Sequence, residues 1–295
     1  MYIFSHIQQQ PVYYTNEKDT VKKMATGSEE QQPDMTFTKE LRAATKDVHK
    51  ISDVLVNAKF ALALSDDEVW ADGLLAFYEI YKFLETNLPE DLLPSELHRT
   101  ESFEKDLSVF FGDDWKKTYE VRPSVKKYLA HLEEVRKKND LLLFAYAFQM
   151  YMALMSGGQL LQKKRMIARK LWLGKAEQEE KSLQSEQQNA QKTDDLELRP
   201  MPVQVTICPA GCSATYFPQQ ISVLKAKLRN ILNSHYKDFD DEMKAEFIQE
   251  SRNVFIYNGD VVRSIKGVNK ANLKKLACVL IFVMGIYFAL KLAKN

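Results

Sequence analysis

From residue 38 onward, apolar positions recur at the three- and four-residue spacing of helices that bury one face. Thr38 is placed to cap the first such stretch, with Leu41, Ala44, Val48 and Ile51 or Ser52 following on one side. The same period returns over residues 66–88, 102–111, 124–138, 140–173, 219–236 and 240–262. Alternating β-branched runs are scarce, and the longest, residues 203–207, is flanked by prolines. The pattern predicts an all-α protein, a single bundle of about eight helices. Residues 1–33 are glutamine-rich without helical periodicity and are expected to be a disordered extension. The domain is expected over 34–265. It is interrupted at 174–213, where a Glu/Gln/Lys/Ser tract reads as a solvated helix extension or a flexible insertion and gives way to an extended, proline-containing stretch.

Two apolar runs depart from ordinary amphipathic helices. Residues 141–162 carry no charge yet contain Gly157 and Gly158. A glycine inside a helix costs about 1 kcal/mol relative to alanine, so a pair suggests backbone lying against, or bending over, something large and flat. The run is long enough for a membrane span, but Gln149, Ser156, Gln159 and Gln162 are expensive in lipid, which favours a core helix lining a cavity. Residues 276–290 are also uncharged, bordered by Lys274-Lys275 and by Lys291 and Lys294. Counted through Ala293, this run gives roughly 27 Å of helix, enough for a thin, endoplasmic-reticulum-like bilayer if the lysines snorkel. It reads either as a buried core helix or as a tail anchor over 276–293 behind a linker at 266–275. Its terminal place and basic borders favour the anchor.

Composition adds less. An apolar content of 45% over 295 residues supports a sizeable core. A net charge of +1 lacks the basic excess of a nucleic-acid-binding protein. No apolar signal region is visible near the N-terminus, so the domain is expected to face the cytosol with reduced thiols. Cys208 and Cys212 make a poor zinc site by spacing and ligand count.

The candidate chemistry starts at His49, on the segment Leu41-Arg42-Ala43-Ala44-Thr45-Lys46-Asp47-Val48-His49. A lone helical histidine is usually structural. Here Arg42 and Lys46 share its face, and Asp53 at i+4 can accept one ring N–H, directly or through water. With this segment and Ser156-Gly157-Gly158-Gln159 come Ser95-Glu96-Leu97-His98-Arg99, Asp106-Leu107 leading to Phe110-Phe111-Gly112, and Trp115. In that order they resemble the heme oxygenase family, of the animal tail-anchored type, over residues 37–173 and 217–258.

The resemblance implies O2- and reductase-dependent cleavage of heme b, at once substrate and cofactor, to biliverdin, CO and ferrous iron. It implies electrons from NADPH through a microsomal flavoprotein reductase, a monomeric soluble domain, and attachment to the endoplasmic reticulum membrane. His49 becomes the proximal iron ligand and sole metal ligand. Arg42, Lys46, Lys225 and Arg229 become contacts for the heme propionates. Ser156, Gly157 and Gly158 lie over the distal face, with Tyr81 in the distal hydrogen-bond network. Asp53, Phe148, Ala153, Leu154 and Phe255 complete the cofactor contacts. Cys208-Pro209 has the form of a thiolate heme site, although the dipeptide is common by chance. His98 is read as structural, and His131 and His235 as helix-surface positions.

The distal helix departs from the family. A Gly-Asp pair is usual where this chain has Ala153 and Leu154, an arginine where it has Met150, and a propionate-binding tyrosine where it has Phe148. Leucine cannot hold the water through which that aspartate directs protons, although Gln149 is a polar substitute to consider. Turnover is therefore expected to be slow or poorly selective among meso carbons. The alternatives are a non-catalytic heme buffer or sensor on the same fold and a tail-anchored interaction protein without heme. The last leaves His49, its cations and the glycine pair unexplained. Basic clusters at Lys116-Lys117, Lys126-Lys127, 136–138 and 163–165 read as a reductase-docking surface or as an ordinary mixed-charge surface.

Overall fold

Several helix ends fall at caps and breakers that the chain supplies. The computed structural model describes residues 36–60, 63–173 and 210–292. The expected N-terminal extension, Cys208-Pro209 and most of the 174–213 stretch lie outside them. Helix α3 (Asp67–Asn87) begins where the Asp66 carboxylate accepts from Val69 N at 3.1 Å. Helix α4 (Thr100–Phe111) stops at Gly112, whose φ of 80° is left-handed. A short α5 (Trp115–Thr118) follows, and α6 (Pro123–Lys138) opens with proline in its first turn. Asn139 then caps α7 (Asp140–Ala153) by accepting from Leu141 N at 2.8 Å. Helices α8 (Gln159–Leu173) and α9 (Ile221–Tyr236) precede α10 (Asp241–Ser264), which Asp240 caps through Met243 N at 2.8 Å.

The first helical stretch differs from expectation. Helix α1 (Thr36–Ala44) starts two residues before Thr38, and the chain turns at Thr45 before α2 (Lys46–Phe60). The buried Thr45 hydroxyl donates back to Leu41 O at 2.9 Å, a bond that bends helices.

Helix α7 runs through the centre. Leu142 through Phe148, with Met150 and Tyr151, are all buried, packed chiefly against α6 and α10. Among the described residues, Asp140–Lys170 is long and apolar enough to cross a membrane by length and composition, but more than half of it is buried in the protein. Core packing accounts for its apolarity.

Three polar networks lock the bundle. Glu85 on α3 accepts from Arg99 N at 2.6 Å, Thr100 N at 3.0 Å and the Tyr151 hydroxyl at 2.5 Å, pinning the start of α4 to α7. Glu250 on α10 accepts from the Tyr146 hydroxyl at 2.5 Å and from Asn253 and His131 at 3.0 Å. These bonds outweigh the burial that pushes its pKa up, and its carboxyl stays below the usual glutamate value. His131 is therefore not the plain surface residue its sequence suggested: it joins three helices and stacks on Tyr257 at 4.7 Å. The third network holds Asp72 on α3, 16% exposed, in a two-pronged pair with Arg122 at 2.8 and 3.1 Å. Arg122 also donates to Ser264 O, and Lys266 N to Asp72, so α3, α6 and the end of α10 meet there.

Helix α11 (Val268–Leu292) does not wait for the end of a linker. Val268 and Ala271 are buried on the domain, and Lys275 donates to the Ser65 hydroxyl. Most of the expected linker at 266–275 is thus the first two turns of a docked helix. Gly267 permits the entry, because its φ is 78° and a β-carbon there would sit 3.3 Å from Val69.

Removing one partner of the Asp72–Arg122 pair leaves a largely buried charge alone. Arg122→Ala should cost about 3 kcal/mol and lower the thermal unfolding midpoint by roughly 6–12 °C. Calorimetry giving an unchanged midpoint would remove this network from the stability of the bundle.

Candidate functional site

Helix α2 has fifteen residues and buries none of them. Its His49, Ser52, Asp53, Val56, Asn57 and Phe60 instead line a cleft of about 290 Å³. Helix α3 contributes Gly73, Leu74, Phe77 and Tyr81, and α10 contributes Phe255, Asn258 and Val262. A second wall is made of Ala153, Leu154, Gly157 and Gly158 with Leu160, Leu161 and Lys164. An amphipathic helix gains its stability by covering its apolar stripe. On α2 the apolar side chains that face the cleft are Val56 and Phe60, beside the polar His49, Ser52, Asp53 and Asn57.

The position of α2 is set from outside the cleft. Arg252 on α10 holds both carboxylate oxygens of Asp47 at 2.7 and 2.8 Å and donates to Ala44 O. That guanidinium draws the Asp47 carboxyl down to about 2, so the clamp stays charged through the physiological range. Lys59 donates to Arg263 O at 2.5 Å at the other end, and Lys164 on α8 reaches Asn57 Oδ1 at 3.0 Å. Between these ties sits His49. Its Nδ1 is 3.0 Å from Asp53 Oδ2, and its ring centroid is 5.4 Å from that of Phe255. A carboxylate partner assigns the proton to Nδ1 and leaves Nε2 as a ligand nitrogen.

The second wall is bent by a π turn over Leu154–Gly158, where Leu154 N is shared by Met150 O and Tyr151 O. Such turns insert a residue into an α-helix and kink it, often at functional sites. The two glycines do different work. A β-carbon on Gly158 would meet Leu154 Cδ1 at 3.0 Å, so that glycine allows close packing; one on Gly157 would meet nothing within 4 Å. Gly157 therefore keeps volume open in the cleft. Tyr81 donates to Met150 O at 3.1 Å just before the turn, and burial pushes its pKa far up, so it stays a neutral phenol.

With that geometry in view, residues 35–264 match the family model for heme oxygenase. The chain belongs to the heme oxygenase family. Human heme oxygenase 1 is 31% identical over 151 residues, 46% of this chain and 51% of that protein. Heme oxygenase 2 of Oryctolagus cuniculus is 30% identical over 144 residues, 44% and 45% of the two chains. This chain thus spans about half the length of the curated relatives it matches. In fold it resembles the heme complex of heme oxygenase-1 from the cyanobacterium Synechocystis, with a TM-score of 0.59 at 19% identity over 84% of this chain and 98% of that one. Heme oxygenase 2 from Chlamydomonas reinhardtii without heme gives the same TM-score at 21% identity, over 78% and 97%.

Of the residues singled out for a heme oxygenase, the cleft brings together His49, Asp53, Tyr81, Ala153, Leu154, Gly157, Gly158 and Phe255. Others do not line it. Phe148 packs in the core beside Phe144, at 6.2 Å between centroids. It lies two residues, or 200° of helix, from the cleft-lining Met150, so its face of α7 points elsewhere. Ser156 also lies outside the lining and accepts from Lys225 Nζ at 2.7 Å. Burial, with the charge of Arg229, pulls the Lys225 pKa down, marking a cationic pair beside the π turn. Arg42 and Lys46 are exposed outside the cleft lining, on either side of the bend at Thr45.

Among the lining residues that the sequence did not single out are two polar ones, Asn258 and Thr215. Asn258 donates to Met150 Sδ at 3.2 Å while its Oδ1 is buried without a partner, an acceptor that calls for water or ligand. Its position one turn after Phe255 was a usable signal. Thr215, bonded to Gln162 Oε1 at 3.0 Å, comes from beyond the long insertion, where helical periodicity gives no register.

The open Gly157 position, the apolar walls of the cleft and the free His49 Nε2 suit a flat, apolar ligand with a metal at its centre. Gly157→Leu should leave unfolding within about 1 kcal/mol of the parent while abolishing heme uptake in an absorbance titration. Undiminished uptake would place the ligand elsewhere.

Proposed function

We propose that this chain is a working heme oxygenase, cleaving heme b to biliverdin, CO and ferrous iron with O2 and electrons from NADPH through a flavoprotein reductase. The observation that carries the reading is that His49 and Gly157 line two walls of one cleft. Bound heme supplies the iron for oxygen activation and the porphyrin carbon that is cleaved. His49 would hold the iron through Nε2, with Asp53 fixing the ring and raising its basicity through Nδ1–H. Gly157 lets the distal backbone approach the porphyrin, while Leu154, Leu161 and Phe77 exclude bulk water. Lys225 and Arg229, with Lys164 at the rim, offer cations to propionates, and Arg42 and Lys46 serve as longer-range partners.

Proton delivery sets the rate. Leu154 lines the wall where the family pattern has an aspartate, and it offers no site for water. Among the polar atoms of the lining, Asn258 Oδ1 is buried without a partner, whereas the Tyr81 phenol is committed to Met150 O and the Thr215 hydroxyl to Gln162 Oε1. Slow turnover with mixed biliverdin isomers follows. The same residue favours the second reading, a heme buffer or sensor that holds heme without opening it. An absorbance time course of heme-loaded protein with NADPH and microsomal reductase under air separates the two. Loss of the Soret band with biliverdin appearing is expected, together with faster loss in Ala153→Gly/Leu154→Asp and no specific loading in His49→Ala. A stable Soret band in both catalytic-site forms would assign the chain to heme storage or sensing.

Electron transfer from a reductase is inferred from the family chemistry. The basic clusters are largely engaged on this surface: Lys116 with Glu104, Lys117 with Asp114, Lys127 with Asp260, and Arg136 with Glu133. Arg165 is buried and paired with Asp67, which removes it from any docking surface.

We also assign α11 as the membrane anchor at the endoplasmic reticulum. Its large apolar residues from Leu276 to Leu290 whose side chains are described stand 41–70% exposed, an unusual state for a helix in water. Ile281→Lys/Val283→Lys should shift the chain from a carbonate-resistant membrane pellet to the soluble fraction, since each central lysine costs about 3 kcal/mol in a bilayer. Equal pelleting of both forms would refute the anchor.

A further inference from the structure

The outward face of α8 is not built like a solvated helix face. Leu160 and Ile167 are 53% and 62% exposed, and at 100° per residue they lie within about 20° of one another. Lys163 and Lys170 are exposed on one flank of this stripe, Lys164 is exposed on the other, and α8 carries no acidic residue. An apolar centre between lysines is the pattern of a helix lying in a headgroup layer, with stems along the lipid and ammonium groups at the phosphates.

The inner face of α8 is fixed. Arg165 is 2% exposed, donates to Leu64 O at 2.7 Å and lies 5.0 Å from the Trp70 ring. The short turn Ala63–Ser65 that receives Arg165 also receives α11 through Lys275 and Ser65. One turn of chain therefore joins α8 to the base of the helix assigned as the anchor. Exposed Lys266, Lys270 and Lys274 stand at that base. Helix α8 and the α11 base thus pack on the same turn, and Leu160 and Lys164 also line the cleft.

We propose that the outer face of α8 rests on an anionic lipid bilayer, the one α11 enters, so that the cleft opens at the lipid surface. This rests on the anchor reading above and goes beyond it, since an anchor alone leaves the orientation of the domain free. Where the ligand is heme, an amphipathic molecule that partitions into lipid, the route from bilayer to His49 avoids bulk water. Lys164 then stands where the carboxylates of an entering porphyrin pass.

The test uses the full chain in phosphatidylcholine vesicles with and without phosphatidylserine. Photoreactive p-benzoylphenylalanine is placed at position 167 and, as a control, at position 138, at the end of α6. A covalent phospholipid adduct is expected at 167 and not at 138, stronger with phosphatidylserine. Lys163→Glu/Lys170→Glu should weaken the adduct by about tenfold or more, at roughly fivefold per lysine near an anionic surface, while flotation with vesicles through α11 persists. A parent chain that fails to float overturns the anchor reading. A chain that floats but gives no lipid adduct at 167, gives one at 138 as readily, links to a second copy of itself at 167, or ignores the lysine reversal overturns the orientation proposed here.

Discussion

The structure depends on how α2 is held, because that helix cannot hold itself. It buries no residue, and helices of its length are marginal in water without tertiary packing. Its position comes from the Arg252 clamp on Asp47 and Ala44, from Lys59 on Arg263 O, and from Lys164 on Asn57. These ties act at its ends and rim, and the ring of His49 meets Phe255 of α10 between them. A ligand in the cleft would add packing against Val56 and Phe60 on the inner side of α2. By mass action, bound heme would then stabilise the domain as well as serve as substrate.

Much of the architecture was readable because its signals are local. Asp66, Asn139 and Asp240 precede their helices and cap them as their side-chain chemistry dictates. The glycine pair marked the π turn in the long central helix, and His49 with Asp53 at i+4 marked the cleft-lining face of α2. What could not be read depends on groups far apart in sequence. Periodicity ran smoothly through Thr45, and only its hydroxyl bonding to Leu41 O marks the turn. His131 looked like a surface residue until α7 and α10 brought Tyr146 and Glu250 to it. Thr215 reaches the cleft after an insertion whose length conceals where the chain returns.

Phe148 shows a different limit. Matching the family pattern assigned it to the cofactor, and the geometry sets it against Phe144 in the core. A tyrosine at this position could send its hydroxyl toward a polar edge. Phenylalanine has no such group to satisfy, and hydrophobic burial then decides where the ring goes. Phe148 thus serves the core rather than the cleft.

The π turn joins these threads. Its extra residue rotates the helix between Leu154 and Gly158, which lets α7 remain an apolar core helix while α8 presents a different face. Upstream of the turn, the register is set by burial against α6 and α10. Downstream, it is set by Arg165, whose guanidinium must reach Leu64 O and Asp67 from a buried position. With that arginine fixed inward, Leu160 and Ile167 are left facing out, flanked by lysines. The kink that opens volume at Gly157 thus also determines which side of α8 is left uncovered. A straight helix would have to give up either the core packing of α7 or the Arg165 pocket. The glycine pair makes the bend affordable, and the shape of the cleft and the character of its rim follow from it together.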